Sequence, residues 1–202
     1  MPEQNVSDSR ISAFIFDLDG TLVETERLKA RSYANIIGDM TGANTPDHRA
    51  IELYERIVGS TDEMVCRQMI DEFDITDSLE SVDGELWKHL HEIRMAEYRE
   101  NDGAAEHLQA SVYQHNIDLL RNQKSIGRTV SVATSSFSDE AKRVLDALGV
   151  RVLLDDIVGR DSVSKPKPDP EIYHLAMARL GVDPEQVIII EDSPIGAKAA
   201  MD

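Results

Sequence analysis

Four short apolar segments are spread along the chain, and each is bounded by polar residues or glycine. Such near-continuous apolar runs are typical of strands in a parallel sheet that is covered on both faces. Helical segments with glycine at their ends or proline at their starts alternate with the last three runs. The pattern therefore predicts a doubly wound, mostly parallel α/β sheet with a Rossmann-like core. The predicted strands are Ile11–Phe16, Thr129–Ala133, Val152–Val158 and Val187–Ile190, and the predicted helices are Glu140–Leu148, Pro170–Leu180 and Ile195–Met201.

The pattern changes between Leu22 and about Gln123, where amphipathic helical spacing replaces the strand pattern. This stretch is much longer than the dozen or more residues that a crossover between parallel strands needs. It therefore predicts a separate α-helical cap at residues 23–111, inserted into a discontinuous core of residues 1–22 and 112–202. The predicted cap and connecting helices are Glu26–Asp39, Asp47–Val58, Asp62–Phe73, Glu85–Arg99 and Glu106–Arg121.

Charge and composition narrow the possible partners. The chain has 202 residues and a formal net charge of −17. That field repels nucleic acid and anionic membranes, so we expect neither as a partner. Cys66 is the only cysteine, which excludes an internal disulfide and a multi-cysteine metal site. No signal-peptide pattern and no membrane-spanning run is found, so we expect a cytoplasmic protein, either a monomer or a weak homo-oligomer.

The most informative motif is Asp17-Leu18-Asp19-Gly20-Thr21, directly after the first predicted strand. Two carboxylates at i and i+2, entering a glycine turn at the end of a strand, can converge on one site. One can attack phosphorus and form an aspartyl-phosphate while its neighbour transfers protons. An Asx turn is the simpler interpretation of an Asp-Gly pair, but the full motif after an apolar strand favours the chemical one.

A second acidic pair, Glu191-Asp192, follows the last predicted strand. Carboxylate oxygens with room for water and phosphate oxygens are what Mg²⁺ prefers. A helix N-cap around Ser193 is the alternative. Because the carboxyl ends of parallel strands meet at one edge of the sheet, we expect both acidic pairs to form one Mg²⁺ site.

Two further segments supply groups that suit a phosphoryl ligand. Thr134-Ser135-Ser136 follows the second strand, where hydroxyls and backbone N–H groups can hold phosphate oxygens; hydroxyls are also common helix starters. Lys165 lies beside rigid prolines and could direct its charge at a phosphate and at Asp17. The alternative is a solvated loop lysine, an interpretation that suits Lys167 better than Lys165.

Four motifs in this order, DLDGTL, VATSS, SKPKPDP and IIIEDSPIGA, resemble those of the haloacid dehalogenase superfamily. The helical insert is similar to the C1-type cap of that superfamily. The Glu-Asp-Ser form of the last motif resembles the branch that contains β-phosphoglucomutases and phosphoglycolate phosphatases.

The resemblance implies a role for each matching residue. Asp17 would be the nucleophile, Asp19 the general acid and base, and Lys165 the cation that neutralises the transferring group. Asp17, the backbone carbonyl of Asp19, Glu191 and Asp192 would hold Mg²⁺. The implied phosphate- and substrate-binding residues are Thr134, Ser135, Gly20, Thr25 and Lys29.

Three departures from the superfamily pattern stand out. Lys29 occupies a position where relatives often carry histidine, and Asp62 occupies a position where β-phosphoglucomutases carry arginine. An acid there would repel the second phosphate of a bisphosphate, which favours hydrolysis over phosphoryl transfer between sugars. The chain also stops at Asp202, inside a helix that relatives follow with a further strand. We therefore expect the sheet to lack that C-terminal strand and Val187–Ile190 to form its edge.

Together these patterns predict a Mg²⁺-dependent phosphatase that hydrolyses a small phosphate monoester, such as a sugar phosphate, through an aspartyl-phosphate. The first alternative is a sugar phosphomutase similar to β-phosphoglucomutase. The second is a truncated member without catalytic activity.

Overall fold

The computed structural model describes residues 10–43, 45–57 and 60–202. The chain divides into two compact units. One combines residues 10–23 with Val112–Asp202 and contains the sheet, and the other, Glu24–Ser111, is helical. In chain order the elements are β1 (Ala13–Phe16), α1 (Thr25–Met40), α2 (His48–Ile57), α3 (Asp62–Phe73), α4 (Leu86–Glu100), α5 (Ala105–Ala110), α6 (Gln114–Ser125), β2 (Thr129–Ala133), α7 (Ser138–Ala147), β3 (Asp156–Val158), α8 (Glu171–Leu180), β4 (Val187–Ile190) and α9 (Pro194–Met201).

The sheet is four-stranded, with the order β3-β2-β1-β4, and every neighbouring pair is parallel. In the centre Phe16 is paired with Val132 of β2 and with Ile190 of β4. The chain therefore leaves β1, β2 and β4 at the same edge of the sheet. This confirms the predicted parallel α/β core and brings the segments after residues 16, 133 and 190 to one place.

The strand predicted at Val152–Val158 is shorter than expected. Arg151–Leu153 forms a 3₁₀ turn, and β3 begins only at Asp156. The backbone N–H of Asp155 bonds to the Val130 carbonyl, and the Asp155 carboxylate accepts the Val130 N–H. Pairing therefore starts at Asp155. Val152, which extended the apolar run, is 88% exposed, so its hydrophobicity was misleading.

The single helix predicted over Glu106–Arg121 was wrong, because it is interrupted between Ala110 and Gln114. Val112 forms an antiparallel bridge with Val23, and the Tyr113 N–H bonds to the Leu22 carbonyl. These strand-like bonds replace the helical ones. The amphipathic spacing of the sequence continues across residues 111–113, so it could not predict the break between the two helices.

The helical unit has its own apolar core. Helix α3 has the predicted bounds, and the Thr61 side chain caps it by accepting the Met64 N–H. Val58, the predicted last residue of the second cap helix, lies outside the described residues. A buried cluster of the unit draws on α1, α2, α3 and α4 and includes Tyr33, Ile37, Leu53, Cys66, Met69 and Leu90. In the part of the chain that the structure describes, no helix is long and apolar enough to cross a membrane.

Candidate active site

The end of β1 presents Asp17 and Asp19 at the edge of the sheet. Asp17 is 6% exposed, and its backbone N–H bonds to the Ile190 carbonyl of β4. The chain then turns at Gly20, whose φ of +86° lies in the left-handed region that favours glycine. A Cβ at Gly20 would collide with the carboxylate of Asp192. The glycine therefore allows the β1 turn to approach the β4 acidic pair.

The end of β4 supplies Glu191 and Asp192. One carboxylate oxygen from each of Asp17, Glu191 and Asp192 lies within 4.8 Å of the others. The hydroxyl of Thr21 donates to Asp192 Oδ1 at 3.1 Å. The N-cap of α9 is Ser193, whose side chain accepts the Gly196 N–H. The cap and the acidic cluster therefore coexist, because they use different side chains.

The end of β2 holds Asp19 through two hydroxyls. The Thr134 hydroxyl donates to Asp19 Oδ2 at 3.2 Å, and the Ser136 hydroxyl donates to the same oxygen at 2.7 Å. The Ser136 N–H in turn donates to the Thr134 oxygen at 3.0 Å. Ser135, by contrast, is exposed. The residue that completes this hydroxyl pair is Ser136, which the sequence analysis did not include among the site residues.

The structure brings Lys167 to Asp17 and gives the predicted lysine, Lys165, other partners. Lys165 is 69% exposed, its ammonium pairs with Asp169, and its backbone N–H bonds to Glu171. Lys167 is 5% exposed instead, and its ammonium bonds to Asp17 Oδ1 at 2.7 Å and to Glu191 Oε1 at 2.6 Å. A lysine flanked by proline on both sides is the more rigidly held of the two, and that signal, applied consistently, identifies Lys167.

Glu191 is surrounded by donors. Its Oε1 accepts from the Lys167 ammonium and from the Tyr173 hydroxyl at 2.8 Å. Its Oε2 accepts the backbone N–H groups of Asp192 and Ser193, and the Ser193 hydroxyl, each at 3.1 Å. A carboxylate has about four lone-pair sites, so this side chain is held by the protein on both oxygens.

The charges of the site are unevenly balanced. Burial raises the pKa of Asp17 to about 8, because the opposing charge of Lys167 does not offset the loss of hydration. Burial also opposes ionisation of Glu191, but the Lys167 charge and several hydrogen bonds hold its pKa below the usual value. Burial disfavours the Lys167 ammonium, yet Asp17 and Glu191 together raise its pKa. One cation therefore serves two buried carboxylates.

The donor set suits a small divalent cation. Three carboxylates converge, a single ammonium is present among them, and two of the carboxylates are bonded to that ammonium. Burial favours the neutral form of Asp17, whereas a second positive charge beside it would lower its pKa and favour the ionised form. Oxygen ligands with an exposed member, here Asp192, are typical of Mg²⁺, which keeps several of its waters.

Two predicted substrate-binding residues belong to the helical unit. Thr25 is the first residue of α1 and is buried. Lys29 lies one turn later, where its ammonium pairs with Glu26 at 3.0 Å. Asp62 begins α3 and pairs with Arg94 of α4 at 3.3 Å.

The chain also matches a known protein family. The family model described as haloacid dehalogenase-like hydrolase matches residues 11–201. The chain therefore belongs to the haloacid dehalogenase-like hydrolase family, which confirms the resemblance seen in the motifs and the expectation of an enzyme.

Individual relatives are similar over most of their length. A curated protein from Thermotoga maritima, named phosphorylated carbohydrates phosphatase, is 32% identical over 190 residues, which cover 94% of this chain and 80% of that one. A crystal structure of a predicted phosphoglycolate phosphatase from Haemophilus somnus has a TM-score of 0.75 at 21% identity, covering 96% and 82% of the two chains. A β-phosphoglucomutase structure from Clostridium difficile has a TM-score of 0.71 at 22% identity, covering 95% and 80%. At these identities the two structures support the fold alone.

Proposed function

We propose that this protein is a Mg²⁺-dependent phosphatase that hydrolyses a small phosphate monoester through an aspartyl-phosphate on Asp17. The observation that carries the proposal is the arrangement of Asp17, Asp19 and Lys167 at one sheet edge. A nucleophile, a proton-transfer group and a charge-neutralising group are what in-line phosphoryl transfer requires. The relative named phosphorylated carbohydrates phosphatase supports a sugar phosphate or a similar metabolite as the substrate.

In the first step an Asp17 oxygen attacks phosphorus, the bond to the leaving oxygen breaks, and Asp19 donates a proton to that oxygen. The Lys167 ammonium, which contacts Asp17 Oδ1, stabilises negative charge on the equatorial phosphoryl oxygens. In the second step Asp19 accepts a proton from water, which attacks the phosphoryl group and releases Asp17. The two steps together convert the phosphate ester and water into an alcohol and inorganic phosphate, and both aspartates return to their starting protonation states.

The proposal assigns the metal to Asp17, the Asp19 backbone carbonyl and Asp192, with Glu191 as a supporting group. Mg²⁺ at this place supplies a positive charge for the phosphoryl oxygens and for the ionised form of Asp17. The five donors around Glu191 support the indirect role for that residue.

The first test is Asp17→Asn, with a generic aryl phosphate and Mg²⁺ as assay. We expect loss of hydrolysis with retained folding, because an amide does not act as the nucleophile. Full activity of this variant would contradict the proposal. A panel of sugar phosphates, phosphoglycolate and nucleotides then identifies the substrate class.

The same assay separates the alternatives. In a phosphomutase, ³²P from the phospho-enzyme passes to another hydroxyl of the sugar, whereas in a phosphatase it passes to water. Asp62 supports the phosphatase, because an acid where β-phosphoglucomutases carry arginine disfavours a second phosphate. A folded protein that binds Mg²⁺ but hydrolyses nothing in the panel would indicate the non-catalytic alternative. We retain a cytoplasmic location and a monomer or weak homo-oligomer as proposals.

A further inference from the structure

We propose that Tyr173 is a positioning residue that holds Glu191 and Lys167 in the geometry the metal site requires. This inference rests on the proposed function, since it concerns the same site. Tyr173 lies in the first turn of α8, and it is 1% exposed. Its hydroxyl bonds to Glu191 and its ring faces the Lys167 ammonium, so it acts on the site through these two neighbours.

The hydroxyl of Tyr173 fixes one oxygen of Glu191. It donates to Oε1 at 2.8 Å, and the Lys167 ammonium donates to the same atom at 2.6 Å. The other oxygen is held by backbone and hydroxyl donors of residues 192 and 193. Without the phenol, Lys167 is the donor that remains on Oε1. Glu191 can then draw the ammonium away from Asp17.

The ring of Tyr173 supports the ammonium from a second side. The Lys167 Nζ lies 4.9 Å from the ring centroid, within the range of a cation–π contact. The same ammonium bonds to Asp17, Glu191 and the Ala133 carbonyl. A buried ammonium has three protons to donate, and these three acceptors use all of them. The ring therefore stabilises the charge without competing for a proton.

The scaffold that carries Tyr173 is rigid. The residue belongs to an apolar cluster with Ile15 of β1, Ala133 of β2 and Val158 of β3. On the other side of Glu191, a Cβ at Gly196 would collide with the Glu191 carboxylate. Glu191 is thus confined between the phenol of α8 and the first turn of α9. Two separate helices set the position of one carboxylate.

The test uses two variants and Mg²⁺ binding by calorimetry on the substrate-free protein. Tyr173→Phe removes the hydroxyl and keeps the ring, and we expect Mg²⁺ affinity to fall about tenfold, because Glu191 and Lys167, the supporting groups of the metal site, lose a fixed position. Tyr173→Leu removes the ring as well, and we expect a further loss of kcat. Tyr33→Phe is the matched control, because Tyr33 is equally buried but bonds to Cys66 in the helical unit.

The outcomes separate this inference from the proposed function. Wild-type Mg²⁺ affinity in Tyr173→Phe, with Asp192→Asn strongly weakened, would overturn the inference and leave the metal site intact. Absence of Mg²⁺ binding in the wild type would overturn the proposed function. A merely structural role of Tyr173 predicts a lower Tm with unchanged Mg²⁺ affinity, which would also overturn the inference.

Discussion

The two units of this protein bury charge in opposite ways. At the sheet edge Lys167 has three acceptors, and Glu191 has donors on both oxygens. In the helical unit Arg94 is 3% exposed, yet among the described residues its guanidinium bonds to Asp62 alone and its Nε has no hydrogen-bond partner. Its guanidinium carbon instead lies 5.4 Å from the Tyr33 ring centre and 5.9 Å from that of Tyr98.

The difference shows what each unit requires of its charge. Buried ions need pairing or many hydrogen bonds, and a fixed set of partners also fixes their direction. At the sheet edge the partners of the buried charges lie at the ends of strands and in the first turns of helices. These elements are packed together, so the partners keep their relative positions. The helical unit offers ring faces, which attract a cation over a broad range of angles. The partners of Lys167 fix the direction of its charge, as catalysis requires, whereas the ring contacts of Arg94 only stabilise a buried cation.

The largest expected effect tests the sheet edge by replacing its cation. Lys167→Met should lower kcat by about 10³-fold, because a preorganised charge on the transferring group is removed. Lys165→Met should leave kcat within about twofold of the wild type, since that side chain is exposed and paired with Asp169. Steady-state hydrolysis measures both. An equal loss in the two variants would contradict the assignment of Lys167.

The next effect compares the two buried cations directly. Removing Lys167 leaves Asp17 and Glu191 buried without their cation, so Lys167→Met should lower the free energy of unfolding by about 3 kcal/mol. Arg94→Met should change it by about 1 kcal/mol or less, because Asp62 is 45% exposed and can be hydrated. Denaturant unfolding in Mg²⁺-free buffer at pH 8 measures both values. A larger loss for Arg94→Met would reverse the comparison.

A smaller effect is expected from closing the space beside Glu191. Gly196→Ala improves helix propensity in α9 by roughly 1 kcal/mol, but its Cβ would collide with the Glu191 carboxylate. We therefore expect about tenfold weaker Mg²⁺ binding. Lys198→Ala in the same helix, where the side chain is 60% exposed, is the control. Unchanged Mg²⁺ affinity in Gly196→Ala would show that Glu191 tolerates displacement.

The last comparison concerns pH. Because the pKa of Asp17 is raised to about 8 in the folded protein, the folded state binds more protons than the unfolded state between about pH 4 and 8. Stability from this group therefore falls as pH rises through that window. Asp17→Asn should remove this loss, so its stability advantage over the wild type in Mg²⁺-free buffer should grow from pH 5 to pH 8. Thermal unfolding checks this, and an advantage that shrinks with pH would contradict it.

The parts of the fold that depend on local pattern were predictable. The buried runs gave the strands, and their shared edge brought Asp17, Asp19, Glu191 and Asp192 together, because parallel strands end on one side. Lys167 was missed because two lysines alternate with prolines, and their difference arises from contacts between Glu171 and the loop around residues 164 and 165. The prolines on both sides of Lys167 were a local signal, whereas its bonds to Asp17 and Glu191, which lie 150 and 24 positions away along the chain, leave none. The positioning contact of Tyr173 and the burial of Arg94 are of the same kind, since aromatic and charged residues at helical spacing are compatible with many environments.

The hydroxyl bond from Thr134 to Asp19 links ligand binding to the hydrogen bonding of that side chain. A threonine hydroxyl has a single proton to give, and in this structure Thr134 gives it to Asp19 Oδ2. A phosphoryl oxygen that takes this proton, as the proposed role of Thr134 requires, withdraws it from Asp19. Ligand binding would then remove one of the two hydroxyl bonds to Asp19 Oδ2 and leave the shorter bond from Ser136, so the acid would keep its position while its oxygen loses one donor.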